Sequence, residues 1–216
     1  NRCFRQSINA KYSVTPHWQT ASLCKETDAD SFAPLPPAPA PLLRCTSTAE
    51  QLSAHRLLLV LGILSYESSA ARQRRDASRE TWLRHPSVGV DTIACFVLSS
   101  HSSTLGELEA EQAAHGDLAL VDAPETHQLI RSTPRYAKRS AKAKKHGRGM
   151  PTFKQYAFYQ LAARKFEHAM YFAKVDDDSA LNLWRLRFFM RLARCHEHLL
   201  LGPVHWSGFV PRADYS

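Results

Sequence analysis

The sequence predicts an α/β fold with a mostly parallel central sheet. Short apolar runs alternate along the chain with segments of helical spacing. The first run, residues 57–64, is continuously apolar, as expected of a strand covered on both faces. The run at 169–175 passes directly into Asp176, Asp177 and Asp178, at the strand edge where ligands gather in open α/β sheets.

The chain has 216 residues and is 44% hydrophobic, enough for one globular domain with an extra segment. Residues 1–53 show little periodicity and carry a proline-rich spacer at 33–41, so they read as a stem or linker. The domain is expected over 54–216. Its first strand, 57–64, ends at Ser65, and Ser68 or Ser69 can cap a helix over 70–83. That helix carries Arg72, Arg74, Arg75 and Arg79. They form a wet face or, with the helix N-terminus, an anion site. A second strand follows at 92–98, a helix over 104–114, and a third short strand at 118–121 after the Gly116-Asp117 turn. Pro151 suits the first position of a helix running to 165, with Phe153, Ala157, Phe158 and Leu161 as its core positions. The acidic-triplet strand comes next, then a helix over 181–193 and a strand over 198–201.

Net charge is +8, and its location matters more than its size. Eight of the 28 Lys and Arg residues lie between Arg131 and Arg148 with no acid among them, and the remaining 20 match the 20 Asp and Glu. The stretch is a solvated basic loop or an anion-attracting lip. Tyr136 is its one aromatic and no nucleic-acid-binding module is visible, so nucleic acid is not an expected partner. The longest apolar run is far short of the roughly 20 residues of a membrane helix. The chain starts without Met or a signal-like segment, so it reads as a piece of a longer chain with a targeting segment missing. Cys3, Cys24, Cys45, Cys95 and Cys195 show no zinc spacing. Cys95 reads as a small buried hydrophobe. The first three could pair in an oxidising lumen.

Three adjacent carboxylates repel and are costly to bury without a cation. A hard divalent ion, Mg²⁺ or Mn²⁺, would compensate them and bridge to substrate phosphates. A solvated acidic turn is the plain alternative. The Asp176-x-Asp178 pattern also looks like the nucleophile motif of aspartate-based phosphatases, although Ala180 departs from it and the motif comes late in the chain.

Several blocks, in order, resemble the β-1,3-galactosyltransferase family, glycosyltransferase family thirty-one. Residues 74–82 resemble its Arg-x-x-x-Arg-x-Thr-Trp signature, and Phe96-Val97-Leu98 its next strand. Glu111 through Asp117-Leu118 to Asp122, Thr152-Phe153-Lys154, Lys174-Val175-Asp176-Asp177-Asp178 and 202–215 around Trp206 follow its later blocks. The basic insertion and the Gly-Pro-Val-His-Trp-Ser-Gly segment resemble the phosphoglycan β-1,3-galactosyltransferases of protozoan parasites. The resemblance covers about residues 56–216. It implies a GT-A-type nucleotide-binding sandwich, incomplete at its C-terminus, that uses Mn²⁺ and UDP-galactose. It further implies inverting transfer to a glycan or phosphoglycan acceptor, and a type II membrane protein of the Golgi lumen with its membrane anchor upstream of this chain. Carried over by residue, Asp176 and Asp178 would hold the metal. Arg75, Arg79, Lys154, Asp176 and Asp177 would serve the nucleotide sugar, the two arginines and Lys154 having structural roles as the alternative. Trp82 is expected in the core. The general base for the acceptor is expected beyond Ser216, so a non-catalytic nucleotide-binding remnant is the second reading.

Overall fold

Three of the four strands are built from runs that have no polar face to present, and the fourth, Tyr171–Asp176, exposes Lys174 and Asp176. β1 (Leu59–Leu64) and β2 (Thr92–Ser99) are buried at every position. β3 (Leu118–Val121) and β4 (Tyr171–Asp176) complete a four-stranded sheet of order β3-β2-β1-β4 in the computed structural model. All three pairings are parallel. Residues 35–39, 41–101, 104–123 and 151–193 are described. The basic stretch 131–148, the expected strand at 198–201 and the segment 202–216 lie outside them. The chain divides into two compact units, residues 33–187 and a second made of 1–32 with 188–216. The second is described only at 188–193, helical as far as Leu192. All else below concerns the first.

Strand alternation gives the sheet two faces. Val60, Leu64, Ile93, Cys95, Val97, Ala119 and Val121 line one face and form the main core cluster with Phe158, Ala162 and Phe166. The aromatic and alanine positions come from α4 (Pro151–Lys165) and the residue just after it, and α4 starts at the proline, as the sequence predicts. Phe153, Ala157 and Leu161 pack on the cluster's margin. The Phe158 ring lies so close over Gly62 that a Cβ there would fall among its ring carbons. Gly62→Ala is therefore expected to cost about 1–3 kcal/mol by overpacking, read as a lower midpoint in urea at unchanged slope.

The same face has a second cover that the sequence assigns to the linker. Leu43, Cys45 and Leu52 belong to the core cluster, so the folded part begins well before residue 54. A capping box of Thr48 and Gln51 starts the short helix α1 (Ala49–Ser53). Leu43 N–H donates to the Gly89 carbonyl at 2.9 Å, the Thr46 hydroxyl to Gly116 at 3.1 Å, and the Lys165 ammonium to Cys45 at 2.6 Å. A disulfide joins Cys45 to Cys95, whose Cα atoms lie 5.4 Å apart. Cys95 is thus buried, as expected, but is a half-cystine rather than a free thiol. Periodicity along one strand does not reveal what lies across it.

The opposite face carries Phe96, with the Arg79 guanidinium 4.9 Å from its ring centroid. Arg79 belongs to α2 (Ser69–Glu80), which Ser68 caps through the Ala71 N–H. A 3₁₀ turn, Trp82–Arg84, follows α2. Trp82 is half-buried there instead of sitting in the core. The third helix, α3 (Leu105–His115), ends at Gly116, whose φ of 67° is the left-handed closure that glycine favours. The last helix, α5 (Leu183–Leu192), starts two residues later than its apolar pattern suggests, because Asn182 caps it through the Arg185 N–H. Its Arg187 is buried against Asp91, one of the two contacts measuring 2.8 Å. Among the described residues no helix is long and apolar enough to cross a membrane.

Candidate functional site

The strand order creates the site. From β1 the chain steps to β2 and β3 on one side, whereas β4 lies on the other. Crossovers that leave in opposite directions open a crevice outside the carboxyl ends of the two strands at the reversal. Here those strands are β1 and β4, with Leu64 in register with Asp176. β1 delivers Ser65, Tyr66 and the start of α2 to the crevice, and β4 delivers the acidic triplet. The Asp177 N–H donates to the Leu64 carbonyl at 3.1 Å, which extends the ladder one residue into the triplet.

The pleat then sorts the three carboxylates. Asp176 and Asp178 are exposed, while Asp177 is buried. Asp177 accepts a hydrogen bond of 2.7 Å from the Ser65 hydroxyl and two from Arg74, at 2.8 Å from Nε and 3.3 Å from Nη2. The hydrogen bond that Arg74 donates to Asp177 holds its guanidinium above the ordinary pKa. Lys174 stands 3.5 Å from Asp176.

Ser65 joins this edge to the interior. Its hydroxyl accepts from Arg75 Nη1 at 3.1 Å, and its carbonyl accepts from the buried Lys154 ammonium, which also lies 3.9 Å from the Tyr66 ring centroid. Arg75 is 1% exposed and grips Glu111 with two bonds of 2.9 and 2.6 Å. Arg79 donates to both oxygens of Asp117 at 2.8 Å and to Glu111 at 2.6 Å. Asp117 stands just before β3, at the opposite side of the sheet from β4, so Arg79 lies across the sheet from the triplet. Burial alone would raise the Glu111 carboxyl, but Arg75 and Arg79 override it and hold it at about 2. Arg79 is likewise raised, because Asp117 and Glu111 overcome the effect of its own burial.

The basic helix is therefore neither a wet face nor a bare anion site. Arg72, Arg74, Arg75 and Arg79 all pair with carboxylates drawn from Asp76, Glu111, Asp117 and Asp177. Of the predicted residues, Asp176, Asp177, Asp178 and Lys154 meet at one edge. Arg75 lies beneath them and Arg79 lies apart. Ser65 and Arg74 escape sequence reasoning, since a serine after a strand and one arginine among four carry no distinguishing pattern. An open groove of about 530 Å³, lined by Trp82, His85, Leu183 and Trp184 among others, lies where the 3₁₀ turn meets the start of α5.

Among the described residues no three His, Cys, Asp or Glu side chains converge as a ready metal cage. Two exposed carboxylates are nonetheless a suitable donor set for a hard divalent ion that keeps waters and takes substrate phosphates as its other ligands. No protein-family model and no curated protein matches the chain.

Proposed function

We propose that this chain is the donor-binding part of a metal-dependent GT-A glycosyltransferase. The reaction is transfer of galactose from UDP-galactose to a glycan or phosphoglycan hydroxyl, with inversion to a β-1,3 linkage. The observation that carries the reading is the exposed pair Asp176 and Asp178 at the crevice between β1 and β4. The ordered sequence blocks that resemble the β-1,3-galactosyltransferases supply the chemistry.

In this reading Asp176 and Asp178 hold Mn²⁺, which supplies Lewis-acid neutralisation of the diphosphate when bound. The chain's own groups do the rest. The first turn of α2 begins at the same edge, where the helix dipole favours a diphosphate. Arg74 lies beside the triplet and lowers the repulsion that a diphosphate would meet there. The Cys45–Cys95 disulfide supports an oxidising lumen, which for this family is the Golgi.

The test is thermal unfolding of the purified chain with UDP, with and without Mn²⁺. At about 100 times its dissociation constant a ligand that binds only the folded form adds roughly 2.7 kcal/mol. That corresponds to a Tm rise of about 5–10 °C at this chain length. The rise is expected with UDP and Mn²⁺ together and is lost in Asp178→Asn. A folded sample that responds to neither, or an equal rise without metal, sinks the proposal. Phosphate release from a simple monoester without UDP would instead favour the aspartate-based phosphatase.

A further inference from the structure

We infer that the triplet is divided by role: Asp177 is a positioning residue, and only Asp176 and Asp178 are open to a cation. The inference deepens the metal reading for the flanking pair, but the role of Asp177 stands on geometry of its own. Asp177 is 7% exposed and its two oxygens take three hydrogen bonds, from Ser65 and Arg74. Oδ2 takes two of the three and Oδ1 the third, so this buried carboxylate has little accepting capacity left for an ion.

Ser65, through which the triplet is fixed, is itself immobilised. It is 0% exposed, and its N–H donates to the Val97 carbonyl at 3.1 Å. Its hydroxyl takes Arg75, and its carbonyl takes Lys154. The buried Arg75–Glu111 pair is thereby connected through one hydroxyl to the middle of the triplet. Arg74 neutralises Asp177, so the carboxylates open to solvent at this edge are Asp176, with the exposed Lys174 3.5 Å away, and Asp178.

A sign reversal in metal-free stability tests this. Asp176→Asn and Asp178→Asn remove like-charge repulsion, so they leave Tm unchanged or raise it. Asp177→Asn removes the anchor's charge and is expected to lower Tm by about 4 °C or more. Ser65→Ala removes no carboxylate and lowers Tm by a smaller amount. Should Asp177→Asn fail to fold, Ser65→Ala carries the same sign. Mn²⁺ affinity, followed by the spin-resonance signal of the free aquo ion, gives the second readout. Asp178→Asn is expected to abolish binding. Ser65→Ala weakens it by about 10-fold, as the loss of an outer positioning partner does. A Tm for Asp177→Asn at or above that of the parent overturns the anchor. An unchanged Mn²⁺ affinity in Ser65→Ala overturns the positioning role. If the parent chain binds no Mn²⁺, the metal reading falls, while the Tm signs still decide the role of Asp177.

Discussion

Replacing Glu111 with glutamine is expected to cost the fold about 3–5 kcal/mol, because it removes one side of a buried ion pair and strands the other. Glu111 is 2% exposed and answers Arg75 and Arg79 together, each within 2.6 Å. The side chain keeps its shape in Glu111→Gln, so the loss comes from charge and not from a cavity. At about 2–4 °C per kcal/mol for a chain of this size, Tm falls by about 10 °C. The double replacement Glu111→Leu with Arg75→Met tests the cause. If stranded charge is responsible, the pair recovers much of what either single change loses. Purely additive losses would mean that the packing of α3 on α2 had been disturbed instead.

The same carboxylate sets a pH dependence. Its folded pKa of about 2 lies below the ordinary value of 4.5. A depressed acid stabilises the fold above the unfolded pKa, and that stabilisation fades as pH falls. The window therefore runs from about 4.5 down to 2, with about 3 kcal/mol at stake. Urea titrations across it should show the parent chain losing more stability than Glu111→Gln. Parallel curves would mean that the arginines do not hold Glu111 ionised.

Local pattern accounts for the elements that were legible. A continuously apolar run needs no partner to announce a buried strand, and Ser68 and Pro151 mark helix starts by their own chemistry. The strand order was not legible, since nothing in residues 169–176 says that they will lie beside β1. The edge chemistry needed that order. The bond from Ser65 to Asp177 spans 112 positions. The arginines of α2 illustrate the same limit. Four positive charges on one helix suggest an anion until the fold brings Glu111, Asp117 and Asp177 to them. The acidic triplet itself was legible as a site because three like charges directly after an apolar run repel one another and call for a compensating cation. Which of the three faces outward depended on strand pleat and pairing.

Removing the Cys45–Cys95 crosslink is expected to cost about 4 kcal/mol, the loop-closure entropy for two cysteines separated by 50 positions. In Cys45→Ala with Cys95→Ala, Tm should fall by about 10 °C. The double variant leaves no lone thiol to mispair. Peptide mapping without reductant must first show the two cysteines joined in the parent chain; free thiols at both would remove the basis of the expectation. Hydrogen exchange then separates two sources of the loss. If the crosslink acts on the unfolded chain, protection falls evenly across the sheet and α1. If it chiefly pins the cover, residues 43–53 lose protection first, and the face beneath them follows. The hydrogen bonds of Leu43, Thr46 and Lys165 already hold this segment from three directions. Those contacts persist without the sulfur bridge, and Cys45 and Cys95 are 3% and 0% exposed, so reductant reaches the bond only after the segment lifts. The even loss is therefore the expected result, and reduction of the native protein should be slow until denaturant opens the cover.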